Sequence, residues 1–252
     1  MSQSLVTASQ TDVTDSIIFP PGDIYSDEPP LESDLHREQI ELLIRLIKWW
    51  WRDRNNFYAT GNLTVYFSPN QKKSEEFRGP DFFVVLDAEK KDRKSWVVWQ
   101  EDGKYPHLII EMLSDSTATV DKGLKKQIYQ NTFRTPDYFW FDPVSLELQG
   151  FHLVDGQYQE LVFTSEGWLW SQQLGLYLGV NVGKLRFFTP DGQIVMLPEE
   201  ESNQQLQQVN QQLQQANQQL QQANQQIEQE RQRAEILVQR LKAAGVDPEQ
   251  IF

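Results

Sequence analysis

Asp81 follows Gly79-Pro80 and opens an apolar run, Phe82 to Leu86; Glu111 closes another, Leu108-Ile109-Ile110. Two carboxylates at the ends of neighbouring strands form a hard-oxygen donor pair. Such a pair can share one Mg²⁺, an ion that prefers oxygen ligands and keeps several of its waters. A phosphodiester supplies a further oxygen, and the bound ion lowers the pKa of a water and stabilises charge on the phosphate. An amine near that water can orient it or offset the developing negative charge. The stretch after Glu111 offers amines: Lys122, Lys125 and Lys126 in a helical pattern. Each acid alone has a plainer reading. Asp after Pro is common turn chemistry, and a lone Glu often marks the exposed end of a strand.

Other residues carry weaker signals. Glu38 and Glu41 could add an acid from a leading helix, although a solvated face explains them as well. His36 could act as a base, or be a satisfied histidine near a helix start. His107 and His152 have no metal-ligand spacing, which argues against zinc. Ser114 lacks the glycine context of a nucleophile elbow and reads as a cap. Trp49-Trp50-Trp51 could stack bases, but three adjacent residues on a helix cannot face one way, so at least one packs inside. No glycine-rich phosphate loop is present.

The elements that must position these groups follow from periodicity. "SDLHREQIELLIRLIKWWWRDR" is an amphipathic helix capped by Ser33 or Asp34, with a stripe of Leu35, Ile40, Leu43, Ile44 and Ile47. "NFYATGNLTVYFSP", "GPDFFVVLDA", "KSWVVWQ", "HLIIEML" and "DYFWFDP" read as strands. The lysine-rich "AEKKDRKS" is a hairpin loop or an excursion. "STATVDKGLKKQIYQNTF" is helical, with Leu124 and Ile128 on one face. Hairpins turning at Asp155-Gly156 and Asp191-Gly192 follow. The fold class is α/β or α+β: a helix, a mixed sheet, a second helix, then β-hairpins.

Whole-chain totals set bounds. The 252 residues include eight Trp and no Cys, enough for a core and no means to form a disulfide or a thiolate metal site. A reducing cytoplasm fits, and neither a signal peptide nor a membrane-spanning run is expected. The net charge of −13 argues against a generic nucleic-acid coat protein. The charge is uneven: residues 1–33 hold six acids and no Lys or Arg, residues 34–142 hold seventeen of each sign, and residues 143–252 hold thirteen acids against six bases.

Three segments result. Residues 1–33 are Ser/Thr/Asp/Pro-rich and read as a disordered tail, with a short anchored piece at Ile17–Phe19. Residues 34–198 form the folded domain. Residues 199–252 carry the heptad "NQQLQQV NQQLQQA NQQLQQA NQQIEQE". With Leu206 at position a, the a series is Leu206, Leu213, Leu220, Ile227, Ala234 and Leu241. The d series is Val209, Ala216, Ala223, Glu230, Leu237 and Ala244. This is a coiled-coil pattern whose small d residues give weak, concentration-dependent homodimerisation; a marginally associating Gln-rich helix is the alternative. The helix should end at Gly245, with Pro248 beyond.

The ordered set of Pro80-Asp81, Glu111 with Leu113-Ser114, Asp121 with Lys125 and Tyr129, and Pro136-Asp137-Tyr138-Phe139-Trp140 running to Asp142-Pro143 resembles the Uma-type family of putative restriction endonucleases, bacterial proteins with a PD-(D/E)XK nuclease-like core. The resemblance covers roughly residues 30–190. It implies a restriction-endonuclease-like core with a Mg²⁺ site at Asp81 and Glu111, and with the carbonyl of Met112 as an added ligand. The superfamily's usual Glu-X-Lys is broken here, because the third position is Leu113. The resemblance moves that lysine to the following helix, where Lys125 matches and Tyr129 supports it. The implied activity is Mg²⁺-dependent hydrolysis of DNA phosphodiesters. The rivals are a catalytically inactive nuclease fold that recruits a partner through its coiled coil, and a nuclease acting on RNA.

Overall fold

The computed structural model describes residues 33–68, 77–114 and 121–245. The expected tail before Ser33, its anchored piece, Pro248 and the side chain of Asp121 lie outside the described residues. The chain divides into two units, Met1–Val195 and Met196–Phe252.

The first unit is a mixed α/β structure. Helix α1 (Asp34–Trp50) starts at Ser33, whose hydroxyl accepts from the amide of His36 at 3.2 Å. Its buried side chains are His36, Gln39, Ile40, Leu43, Leu46 and Ile47. The stripe expected from the sequence is thus shifted: Leu35 is half exposed, and Leu46 takes its place in the core. Strict 3.6-residue geometry sets residues 36, 39, 40, 43, 46 and 47 on one face, whatever the polarity of the first two. Of the three tryptophans, Trp51 packs edge-on against Phe57 and Trp50 stays exposed. Ser33→Ala removes the cap and should lower stability by about 1 kcal/mol. Urea denaturation measures this; an unchanged midpoint would mean that His36 holds the helix start without the cap.

The main sheet is built from β1 (Phe57–Thr60), β4 (Phe82–Leu86), β6 (Leu108–Met112), β7 (Asp137–Phe141), β8 (Leu148–Val154) and β9 (Gln157–Glu160). These six strands lie in the order β1-β4-β6-β7-β8-β9. β6 and β7 run parallel; the other neighbours are antiparallel. β6 and β7 are buried on both faces, which is why they read as continuous apolar runs. A parallel pair needs a crossover connection. Here it contains α2, built from Asp121–Lys125, Lys126–Ile128 and Tyr129–Phe133, with wide π turns on either side of a short α-helical centre. Tyr129 and Phe133 enter the core with Phe83, Ile109, Tyr138 and Trp140. The expected Leu124–Ile128 face is corrected: Leu124 is more than half exposed, because the wide turns rotate the buried face onto Tyr129 and Phe133. Arg134, at φ 57°, ends the helix in the left-handed region.

Two smaller sheets complete the unit. β2 (Val65–Tyr66) lies between β3 (Phe77–Arg78) and β5 (Trp96–Val97). The expected strand "KSWVVWQ" is therefore short: it turns into a 3₁₀ segment at Val98–Gln100. The lysine-rich stretch before it is an excursion, since β4 and β5 belong to different sheets. β10 (Leu169–Ser171), β11 (Leu176–Asn181) and β12 (Lys184–Phe188) form an antiparallel sheet. The hairpin at Asp155-Gly156 has positive φ at both turn residues, 50° and 81°, which glycine at the second position allows. β11 and β12 turn at Val182-Gly183, whereas Asp191-Gly192 makes a second, shorter return that brings Ile194 to Phe188.

The second unit contains helix α3 (Pro198–Ala243), 46 residues with none buried. Pro198 occupies the first turn, where its missing N–H costs nothing. The Glu200 carboxylate accepts from the Leu197 amide at 2.8 Å. Gly245, at φ 77°, follows the helix end.

Candidate active site

The sheet register brings the two acids together. β4 pairs antiparallel with β6, Phe82 opposite Ile110, so Asp81 lies beside Glu111 at the next position. The Met112 amide donates to Asp81 Oδ2 at 2.7 Å, and the Asp81 amide approaches Glu111 Oε2 at 3.5 Å. Gly61 backs this corner. A Cβ there would collide with the Asp81 carbonyl oxygen and with Ile40 Cγ2.

Glu111 is fully buried, at the end of a strand buried throughout. The crossover returns two donors to it: Lys125 Nζ stands 3.1 Å from Oε2, and the Tyr129 hydroxyl donates to Oε1 at 2.5 Å. Tyr129 is buried, whereas the Lys125 side chain is about one-fifth exposed. Burial pushes the Glu111 carboxyl up to about 7 from its ordinary 4.5. The Lys125 cation opposes that shift, the neighbouring Asp81 charge adds to it, and the Tyr129 hydrogen bond again opposes it. A carboxyl poised near neutrality beside a second acid and an amine is an arrangement in which protonation and ligation compete.

Met112 is the third expected ligand, through its carbonyl. That oxygen accepts from His36 Nε2 at 3.0 Å. The carbonyl acceptor requires a proton on Nε2, and Nδ1 lies within hydrogen-bond distance of the Ser33 hydroxyl, at 3.1 Å. Of the two readings the sequence allows for His36, a base or a satisfied histidine, its contacts match the second. It is a satisfied histidine, and it holds the strand end next to Glu111. Helical position alone could not reveal a partner 76 residues away.

The remaining candidates fall elsewhere. Glu38 pairs with Lys184 at 3.4 Å on the surface, and Glu41 is exposed. His107 Nδ1 accepts from the Leu86 amide at 3.2 Å. Lys126 Nζ lies over the Phe151 ring at 3.4 Å, away from Glu111. Within the basic excursion, Arg93 grips both Glu101 oxygens, at 2.6 and 2.8 Å, and lies over the stacked Tyr58 and Trp96 rings. A cleft of about 320 Å³ lined by Lys48, Lys90 and Lys91 sits at the Phe57 end of β1, opposite Leu86 and so away from Asp81. Asp137 belongs to a buried node that sequence reading registered only as part of a motif. Its carboxylate meets His152 Nδ1 at 2.7 Å, the Ser171 hydroxyl at 2.6 Å and the Gln173 amide at 2.9 Å. Ser171 donates to the acid rather than to the histidine, so the node ties β7, β8 and β10 together and is not a nucleophilic triad.

Whether these residues fit a divalent cation follows from the donor chemistry. Among the described residues no group of three His, Cys, Asp or Glu could hold a metal. Asp81 and Glu111 supply two hard-oxygen donors whose charges repel one another, and the Met112 carbonyl has a second lone pair. That donor set suits a cation that retains several waters better than one needing a full protein cage.

The profile of the Uma2 family, described as "Putative restriction endonuclease", matches residues 14–186. An uncharacterized protein of Synechocystis sp. is 30% identical over 110 residues, 43% of this chain and 55% of the relative, so the match spans about half the relative's length. The crystal structure of a putative nuclease from Anabaena variabilis aligns with a TM-score of 0.43 at 15% identity, covering 58% of this chain and 76% of that one. Among the described residues no helix is long and apolar enough to cross a membrane.

Proposed function

This chain belongs to the Uma2 family of putative restriction endonucleases, and from that premise we propose that it hydrolyses DNA phosphodiester bonds with Mg²⁺ at Asp81 and Glu111. The observation that carries this reading is the buried Glu111 carboxylate, held by Lys125 and Tyr129 and set beside Asp81. Asp81, Glu111 and the Met112 carbonyl would hold the ion. When bound, it supplies Lewis-acid activation of a phosphate oxygen and a water of lowered pKa. The chain's own residues do the rest. Tyr129 fixes the orientation of the Glu111 carboxylate. Lys125 presents N–H donors at the partly open side of the site, where they can orient water and offset charge developing on the phosphate. His36 keeps the Met112 carbonyl in place. A water oxygen bonds to phosphorus as the P–O bond to the leaving sugar breaks; the water gives up a proton to solvent and the leaving oxygen takes one from it, giving one phosphate end and one hydroxyl end. A cytoplasmic location belongs to the same reading because the substrate is there, and the heptad helix belongs to it as a self-association element.

Cleavage of supercoiled plasmid by the purified chain, with Mg²⁺ and with a chelator, tests the proposal. Lys125→Ala should slow nicking by about a hundredfold. Lys126→Ala should stay within a factor of a few, because its amine rests on Phe151. Equal losses from both substitutions would reduce the two lysines to a generic basic patch.

A further inference from the structure

Helix α3 carries an apolar seam with no cover from its own unit. Leu206, Leu213, Leu220 and Ile227 are between 58% and 65% exposed, and Val209 and Leu237 are each 58% exposed. At 46 residues the helix is about 69 Å long. Its seam alternates in size: the a positions are mostly Leu or Ile, and the d positions 216 and 223 are Ala.

Orientation decides how that seam can close. Parallel helices set a against a and d against d. Leucines would then meet leucines, alanines would meet alanines, and the seam would alternate between wide and narrow layers. Two Glu230 carboxylates would also meet at a d layer, and the acidic first turn Glu199–Glu201 would lie beside its own copy. Antiparallel helices set a against d. In the register whose paired numbers sum to 443, Leu220 meets the partner's Ala223 and Ile227 meets the partner's Ala216. Leu206 meets the partner's Leu237, and Val209 the partner's Ala234. Large residues face small ones along the centre, so the helix axes can stay evenly spaced. The exception is the layer in which Glu230 faces the partner's Leu213, rather than another carboxylate. The three acids of the first turn lie level with the last turn, where Arg240 and Lys242 stand. Opposed helix dipoles favour the same choice.

We propose that α3 pairs with the same helix of a second copy, antiparallel, in the register that sets Leu220 against the partner's Ala223. This rests on the self-association reading above and adds its geometry. The chain has no cysteine, so one introduced thiol gives one label per copy. Full-length Gln204→Cys and Gln222→Cys, each carrying a nitroxide, are read by pulsed dipolar spectroscopy beside sedimentation over a concentration series. Antiparallel pairing sets the two Gln204 labels about 50 Å apart, the rise of 35 residues, and the two Gln222 labels within about 20 Å. Short distances at both positions would overturn the antiparallel arrangement and leave self-association standing. A monomer at the highest concentration, with no dipolar signal at either position, would overturn both.

Discussion

Glu111→Gln should lower the initial rate of Mg²⁺-dependent plasmid nicking by about a thousandfold, and Asp81→Asn should do the same. Both substitutions keep shape and remove charge. The amide oxygen introduced in place of the Glu111 carboxylate can still accept from the Tyr129 hydroxyl. The one introduced in place of the Asp81 carboxylate can still accept from the Met112 amide, so the corner between β4 and β6 stays folded. What disappears is half of the anionic donor pair. The asymmetry of the site makes the loss severe, because no third acid among the described residues stands ready to substitute. Gel analysis of nicking beside thermal melts separates lost chemistry from lost fold. Wild-type rates in either purified variant would remove that carboxylate from the mechanism. Failure of the wild-type chain to cut any DNA would instead favour the catalytically inactive, partner-recruiting reading.

Much of this site was legible because it sits on elements with strong periodic signals. The runs around Phe82–Leu86 and Leu108–Met112 could only be buried strands, and an acid at the end of such a run is costly unless it is paired. The i, i+4 spacing of Lys125 and Tyr129 survived the wide turns of α2, since both still reach Glu111. Long-range polar contacts were not legible. His36 reaches Met112, and Gln39 pairs with the backbone of Leu185 from α1, through contacts that helical pattern cannot encode. The same limit misplaced the first helix's stripe, because His36 and Gln39 are buried by partners rather than by polarity. Asp137 is a third case: its three partners come from β8 and β10 and from the turn after β10, all distant in sequence. Local patterns also overstated the strand at Trp96, where pairing with β2 lasts two residues and the chain then tightens into a 3₁₀ turn.

The second large effect is a pH dependence that Glu111 imposes on stability. Its carboxyl is raised to about 7 in the folded protein from an ordinary 4.5. Between these values the folded state holds a proton that the unfolded chain has released. A raised folded value means that the contribution is fully present below 4.5 and is lost as pH climbs through 7. The interval corresponds to roughly 3 kcal/mol. Metal-free protein should therefore lose about that much stability, relative to Glu111→Gln, between pH 4.5 and pH 8. The other titrating groups are common to both proteins, so the difference between the two denaturation profiles reports the Glu111 carboxyl together with its coupling to Asp81 and Lys125. If Mg²⁺ binds the folded donor pair as proposed, an excess of it at pH 8 should restore stability to the wild type by mass action and relieve the repulsion between Asp81 and Glu111. The Glu111→Gln protein, with one anionic donor left, should gain little. Parallel pH profiles for the two proteins would show that Glu111 ionises in the ordinary carboxylate range. An equal Mg²⁺ gain in both would place the ion away from Glu111, and with it the proposed chemistry.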